Sequence, residues 1–150
     1  MEFTTESGIE VKINTANFLS AARLRVAVLL ALKDSDIEIS KIDIESLLSI
    51  KKDIVKAVKS GALDALLDLI ISLDCSQKVS DALYACLARS TYNKLQIVPD
   101  TFEPVEARGD YYIIVAACLK ENVLPFFQPL LRRLNALQNK PAQESPKSKS

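Results

Sequence analysis

The sequence predicts an all-α protein: a compact bundle of about five to six helices, with a small N-terminal β-ribbon and a disordered C-terminal tail. Three observations carry that expectation. Apolar residues recur mostly at three- and four-residue spacings, the signal of amphipathic helices. Only three glycines interrupt the chain. Of the 150 residues, 49% are hydrophobic, enough for one core without disulfides or metal. The expected organisation is an extended segment over 1–14, one helical domain over 15–138 and a tail over 139–150.

Each element has its own reason. Ile9-Glu10-Val11-Lys12-Ile13 and Ile37-Glu38-Ile39 alternate apolar with polar residues and could pair as the ribbon. The first helix is expected from Thr15 as N-cap, with Phe18, Leu19, Ala22, Val26, Leu29, Leu30 and Lys33 at helical spacing. Leu24, Val28, Ala31 and Leu32 fill much of the remaining circumference, which predicts burial on more than one side and a place at the centre of the fold. A second helix, Asp43 to Val58, puts Leu47, Ile50, Ile54 and Val58 on one face and Lys51, Lys52, Lys56 and Lys59 in solvent.

After Ser60 and Gly61, a third helix carries Leu63, Leu66, Leu67, Ile70 and Ile71 opposite Asp64 and Asp68, ending near Asp74. Ser76 is the expected cap of a fourth, carrying Val79, Leu83, Cys86 and Leu87. Thr91 to Pro99 reads as an irregular connection or short hairpin. A fifth helix, Val105 to Glu121, carries Tyr111, Tyr112, Ile114, Val115, Cys118 and Leu119. Gly109 within it costs about 1 kcal/mol relative to alanine and predicts an end or kink. Pro125 and Pro129 bracket Phe126 and Phe127, so a last helix with Leu130, Leu131, Leu134 and Leu137 starts here or bends at Pro129. After Asn139 only Ala142 is apolar, too little burial to offset the entropy of ordering.

Composition excludes several function classes. Nineteen basic residues balance nineteen acidic ones, so the cationic excess that grips a phosphate backbone is lacking and nucleic acid is not an expected partner. A helix-turn-helix regulator would need a basic recognition helix, and the lysines of the second helix stand among Asp43, Glu45 and Asp53. The apolar run Phe18 to Leu32 holds Ser20, Arg23 and Arg25 and is shorter than a membrane span. The N-terminal residues, with neither a positive leader nor an immediate apolar run, argue against a secretory signal. A cytoplasmic protein is expected.

No histidine is present, and no Gly-rich phosphate loop, HExxH or GxSxG occurs, which argues against an enzyme. Asp64 with Asp68, and Glu106 with Asp110, have the spacing of carboxylates sharing a helix face, most often a solvated one. Arg108 points away from the second pair. Cys75, Cys86 and Cys118 are read as reduced thiols in or near the core. No cofactor or metal is expected.

Asp100-Thr-Phe-Glu-Pro-Val-Glu-Ala-Arg-Gly-Asp-Tyr-Tyr112, followed by Leu119-Lys-Glu-Asn-Val-Leu-Pro-Phe-Phe127, resembles the C-terminal half of tail-assembly chaperones of long-tailed bacteriophages. Val11-Lys-Ile-Asn14 running into the first helix resembles that family's opening, and Asp81-Ala-Leu-Tyr-Ala-Cys-Leu-Ala-Arg-Ser-Thr-Tyr-Asn93 its middle helix and following turn. The pieces span most of the chain in the same order. One departure is that the turn after Tyr92 and Asn93 often includes glycine in the family, whereas Lys94-Leu95 follows here.

The resemblance implies a late protein of the infected bacterium's cytoplasm, absent from the mature virion. It would hold the tape-measure protein soluble while the tail tube polymerises around it. It also implies a minor frameshifted longer product that recruits the tail-tube subunit, and leaves homo-oligomerisation open. The expected partner surface combines Tyr111, Tyr112, Phe126 and Phe127 with Leu130 and Leu134 of the last helix. Against this, Phe102, Phe126 and Phe127 could be core aromatics, and Arg108 a cap or bridge between helices. The competing function is a helical adaptor or regulatory protein with another protein partner.

Overall fold

A computed structural model describes residues 1–34, 54–61, 64–74 and 76–127, together with 129, 133 and 136. Ile37–Ile39, most of the second helix, Cys75, Leu130, Leu134 and the tail over 139–150 lie outside the described residues.

The all-α expectation needs correction, because helices share the fold with a four-stranded antiparallel sheet. Its order is β1 (Glu2–Thr4), β2 (Glu10–Lys12), β3 (Thr91–Tyr92), β4 (Leu95–Gln96). The alternating segment at Ile9–Ile13 does form a strand, but pairs on one side with β1 (Phe3 opposite Val11) and on the other with β3 (Val11 opposite Tyr92). Phe3 and Val11 turn inward while Glu2, Thr4, Glu10 and Lys12 face solvent, the alternation expected of a half-buried sheet. The segment after Ser90 is a hairpin. Asn93 and Lys94 form its two-residue turn with φ of 53° and 68°, the double positive φ of a type I′ turn.

Helix α1 (Phe18–Lys33) starts later than Thr15, and the cap is Asn17, whose Oδ1 accepts from the Ser20 amide at 2.8 Å. Tertiary hydrogen bonds hold the preceding residues extended: the Asn14 amide donates to Ser90 Oγ at 3.0 Å and the Ala16 amide to Asn122 Oδ1 at 2.8 Å. Of the second predicted helix, α2 (Ile54–Lys59) is described, followed by α3 (Asp64–Leu73). In α3 Ile70 and Leu73 are buried, but Ile71, expected on the inner stripe, is exposed. Helix α4 (Gln77–Cys86) is capped by Ser76 and buries Val79, Leu83 and Cys86 as expected.

The predicted fifth helix is two: α5 (Val105–Arg108) and α6 (Tyr111–Asn122). The break falls at Gly109 and Asp110. Arg108 reaches back to the carbonyls of Phe102 (3.2 Å) and Glu103 (3.1 Å), bridging α5 to the preceding 3-10 turn over Pro99–Phe102. Asp110 turns into the interior. Glu106 stays exposed, so the two carboxylates do not form a pair. Asp64 and Asp68 are both exposed on α3.

The centre of the fold is α6, a correction to the expectation that α1 stands there. Every residue from Ile114 to Lys120 is buried, and α6 packs against α2, α3 and α4. Beyond it Val123 and Leu124 are buried and the chain is helical again over 124–127, so Pro125 sits where a first helical turn tolerates proline.

Candidate functional site

Helix α1 bears two apolar stripes. Ala21, Leu24, Val28 and Leu32 advance by three, four and four residues and are buried. Leu19, Ala22, Val26 and Leu30 advance by the same steps, two residues earlier, which places them about 200° round the helix. That second stripe faces solvent: Leu19 is 57% exposed, Val26 46% and Leu30 51%, and Phe18 at the helix start is 75% exposed. Isolated exposed leucines are ordinary, but an aligned row of them is the candidate contact surface.

Beside the stripe runs a groove of about 580 Å³ between α1 and α4, within the size range of binding clefts. Ala22, Ala27, Ala82 and Ala85 line it, and Val26 and Leu30 rise along one side. Alanine ends at Cβ, so the facing helices leave between them the space larger side chains would fill. A helix presenting bulky apolar residues could seat them there, ridge into groove.

The residues expected to form one partner surface occupy two places. Tyr111 and Tyr112 stand at the start of α6, whereas Phe126 and Phe127 follow its end. The 12 residues of α6 span about 18 Å at 1.5 Å per residue. Tyr111 and Tyr112 belong to a run of ring contacts, Tyr92 to Phe102 at 6.2 Å, Phe102 to Tyr111 at 5.0 Å and Tyr111 to Tyr112 at 5.3 Å. Tyr112 Oη donates to Asp74 Oδ2 at 2.9 Å, which ties α6 to the end of α3. Burial and the Asp74 charge push the Tyr111 phenol up, and the Asp74 hydrogen bond raises Tyr112. Phe102 is a core aromatic.

Phe126 instead meets α1. Its ring lies 5.9 Å from that of Phe18, and the Arg25 guanidinium sits 5.0 Å over it, a cation–π contact. Phe126 thereby extends the exposed α1 surface at its N-terminal end. Phe127 is half-buried against the core.

A second polar cluster holds the fold together. Asp110, buried, accepts from Ser7 Oγ at 2.6 Å and Tyr92 Oη at 2.7 Å, joining the β1–β2 loop, β3 and α6. Burial and the bond to Asp110 push the Tyr92 phenol up to about 12. Cys86 and Cys118 are both free and buried, and contact with Cys86 together with burial raises the Cys118 thiol well above its ordinary range. Among the described residues no group of three or more His, Cys, Asp or Glu is placed to hold a metal ion, and no helix is long and apolar enough to cross a membrane.

The α1 stripe is the surface that reading the sequence missed. Its residues were assigned to the core because nothing in a single chain tells which of two parallel stripes its own fold will cover. No family model matches the chain, and no curated protein or solved structure matches it.

Proposed function

We propose that this protein is a non-catalytic, polypeptide-binding chaperone of the phage tail-assembly kind. It holds the tape-measure protein soluble in the host cytoplasm while the tail tube polymerises around it, and is left out of the finished virion. A longer frameshifted product would bring the tail-tube subunit to the same complex.

The observation that carries this reading is the exposed row Leu19, Val26 and Leu30 on α1, beside an alanine-lined groove. A tape measure is a long helical chain with apolar stripes that aggregate when bare, and a helix–groove surface covers such stripes by the same packing that joins helices within a core. The sequence resemblance names the partner, and the stripe supplies a surface chemically suited to it.

The test is co-expression with the longest coding sequence downstream of the chain's own gene, scoring how much of that product stays soluble and copurifies. A soluble complex is the expected result. Equal aggregation with and without the chain would contradict the reading and leave a helical adaptor with another partner. Gene order gives a second check, since a tail chaperone gene should lie between those of the tail-tube subunit and an unusually long tape measure.

A further inference from the structure

The groove between α1 and α4 is lined by two cations and one carboxylate, a net positive charge. Arg23 and Lys78 both line it, and among the described residues neither makes an ion pair. Asp81 is the one carboxylate in the lining, and its Oδ1 already accepts from Gln77 Nε2 at 2.8 Å. Along α1 itself Arg23, Arg25 and Lys33 occur with no Asp or Glu from Phe18 to Lys33, and Arg25 is engaged over Phe126. The apolar stripe is thus bordered by cations available to a partner.

That border selects among occupants. A second copy of this chain docking through the same face would set one net positive lining, two cations and one carboxylate, against another, an unfavourable juxtaposition. A nucleic acid needs a run of cations along a polar track, whereas the rest of this lining is mostly alanine, valine and leucine and includes a carboxylate, Asp81. An amphipathic helix with acidic residues flanking its apolar stripe satisfies both parts of the surface.

We infer that the α1–α4 groove binds an amphipathic helix whose large apolar residues at i, i+3 or i+4, and i+7 pack along Leu19, Val26 and Leu30, while its flanking carboxylates meet Arg23 and Lys78. This rests on the chaperone reading and specifies the tape-measure segments it would hold, those whose apolar stripe is bordered by Asp or Glu.

The experiment titrates the full chain into two fluorescent helical peptides with one apolar stripe, flanked by Glu in the first and by Lys in the second, following anisotropy at low and moderate salt. The Glu-flanked peptide should bind about tenfold tighter, two exposed charge pairs sufficing for that ratio. Added salt should narrow the gap. The double variant R23E/K78E, altered only at surface positions and checked for its fold by circular dichroism, should reverse the preference.

Equal affinities, a preference for the Lys-flanked peptide, no binding of either peptide, or an unchanged preference in R23E/K78E would each overturn the inference. Co-expression separates the two ideas. A soluble tape-measure complex without charge preference removes the groove chemistry and leaves the chaperone reading standing. Charge preference with an aggregating tape measure removes the chaperone reading and leaves the groove.

Discussion

Helices α1 and α6 are alike in sequence and unlike in setting. Both are apolar round most of their circumference, yet α6 is buried at every position from Ile114 to Lys120 while α1 buries one stripe and leaves its parallel twin in solvent. The difference lies in what surrounds them. Helix α6 is packed by α2, α3 and α4, whereas α1 is held mainly by α4. An all-round apolar helix can therefore serve as the axle of its own core or, as proposed for α1, as a surface shared with another chain.

The comparison can be broken most directly at one apolar residue of each helix, one buried and one exposed. Ile114→Ala, in the first half of α6, should cost about 2–5 kcal/mol, the usual range for truncating a fully buried isoleucine. Leu30→Ala on α1 should stay within about 0.5 kcal/mol of the parent, as surface changes do. Denaturant titration of both variants measures the contrast. A loss at Leu30 equal to that at Ile114 would mean that the outer stripe is covered within the isolated protein.

Asp110 tests what anchors α6 in place. Asp110→Ala leaves the Ser7 and Tyr92 hydroxyls without their carboxylate, and should cost about 3 kcal/mol, because bonds to a charged acceptor are the strong ones. The same network makes a prediction in pH. Tyr92 has a folded pKa raised from 10.0 to about 12. The unfolded chain therefore gives up this proton first. The stability that the neutral phenol contributes is whole below pH 10 and is lost as pH rises through about 12. Alkaline unfolding followed by tyrosinate absorbance should show this, with a lower phenol pKa in Asp110→Ala. An unchanged titration would place the cause in burial alone.

A smaller effect than at Asp110 belongs to the β3–β4 turn. Lys94 adopts φ 68°, a conformation glycine reaches at less cost, so Lys94→Gly should stabilise by up to about 1 kcal/mol. A destabilised Lys94→Gly variant would indicate that its side chain makes a contact outweighing the strain.

How much of this was legible in the sequence depends on the range of the interaction. Signals confined to a few residues could be read: the Ser76 cap, the inward row Val79, Leu83 and Cys86, and the break at Gly109. Interactions across the chain were hidden. The sheet joins Val11 to Tyr92, and although the alternation of Ile9–Ile13 was visible, its partners β1, β3 and β4, of two or three residues, offered no period to detect. The shift of the first cap from Thr15 to Asn17 depends on Ser90 and Asn122, far along the chain. The separation of Tyr111 and Tyr112 from Phe126 follows from α6 running straight between them, and the pairing of Phe126 with Phe18 and Arg25 has no local signature.

The central claim is that the outer stripe of α1 is the polypeptide-binding surface. The measurement that tests it most directly is co-expression of the tape-measure product with the double variant Val26→Asp and Leu30→Asp, alongside the parent chain. The account predicts a variant that keeps the parent's circular dichroism and melting transition but leaves the tape measure insoluble. A folded variant that solubilises the tape measure as well as the parent would contradict it.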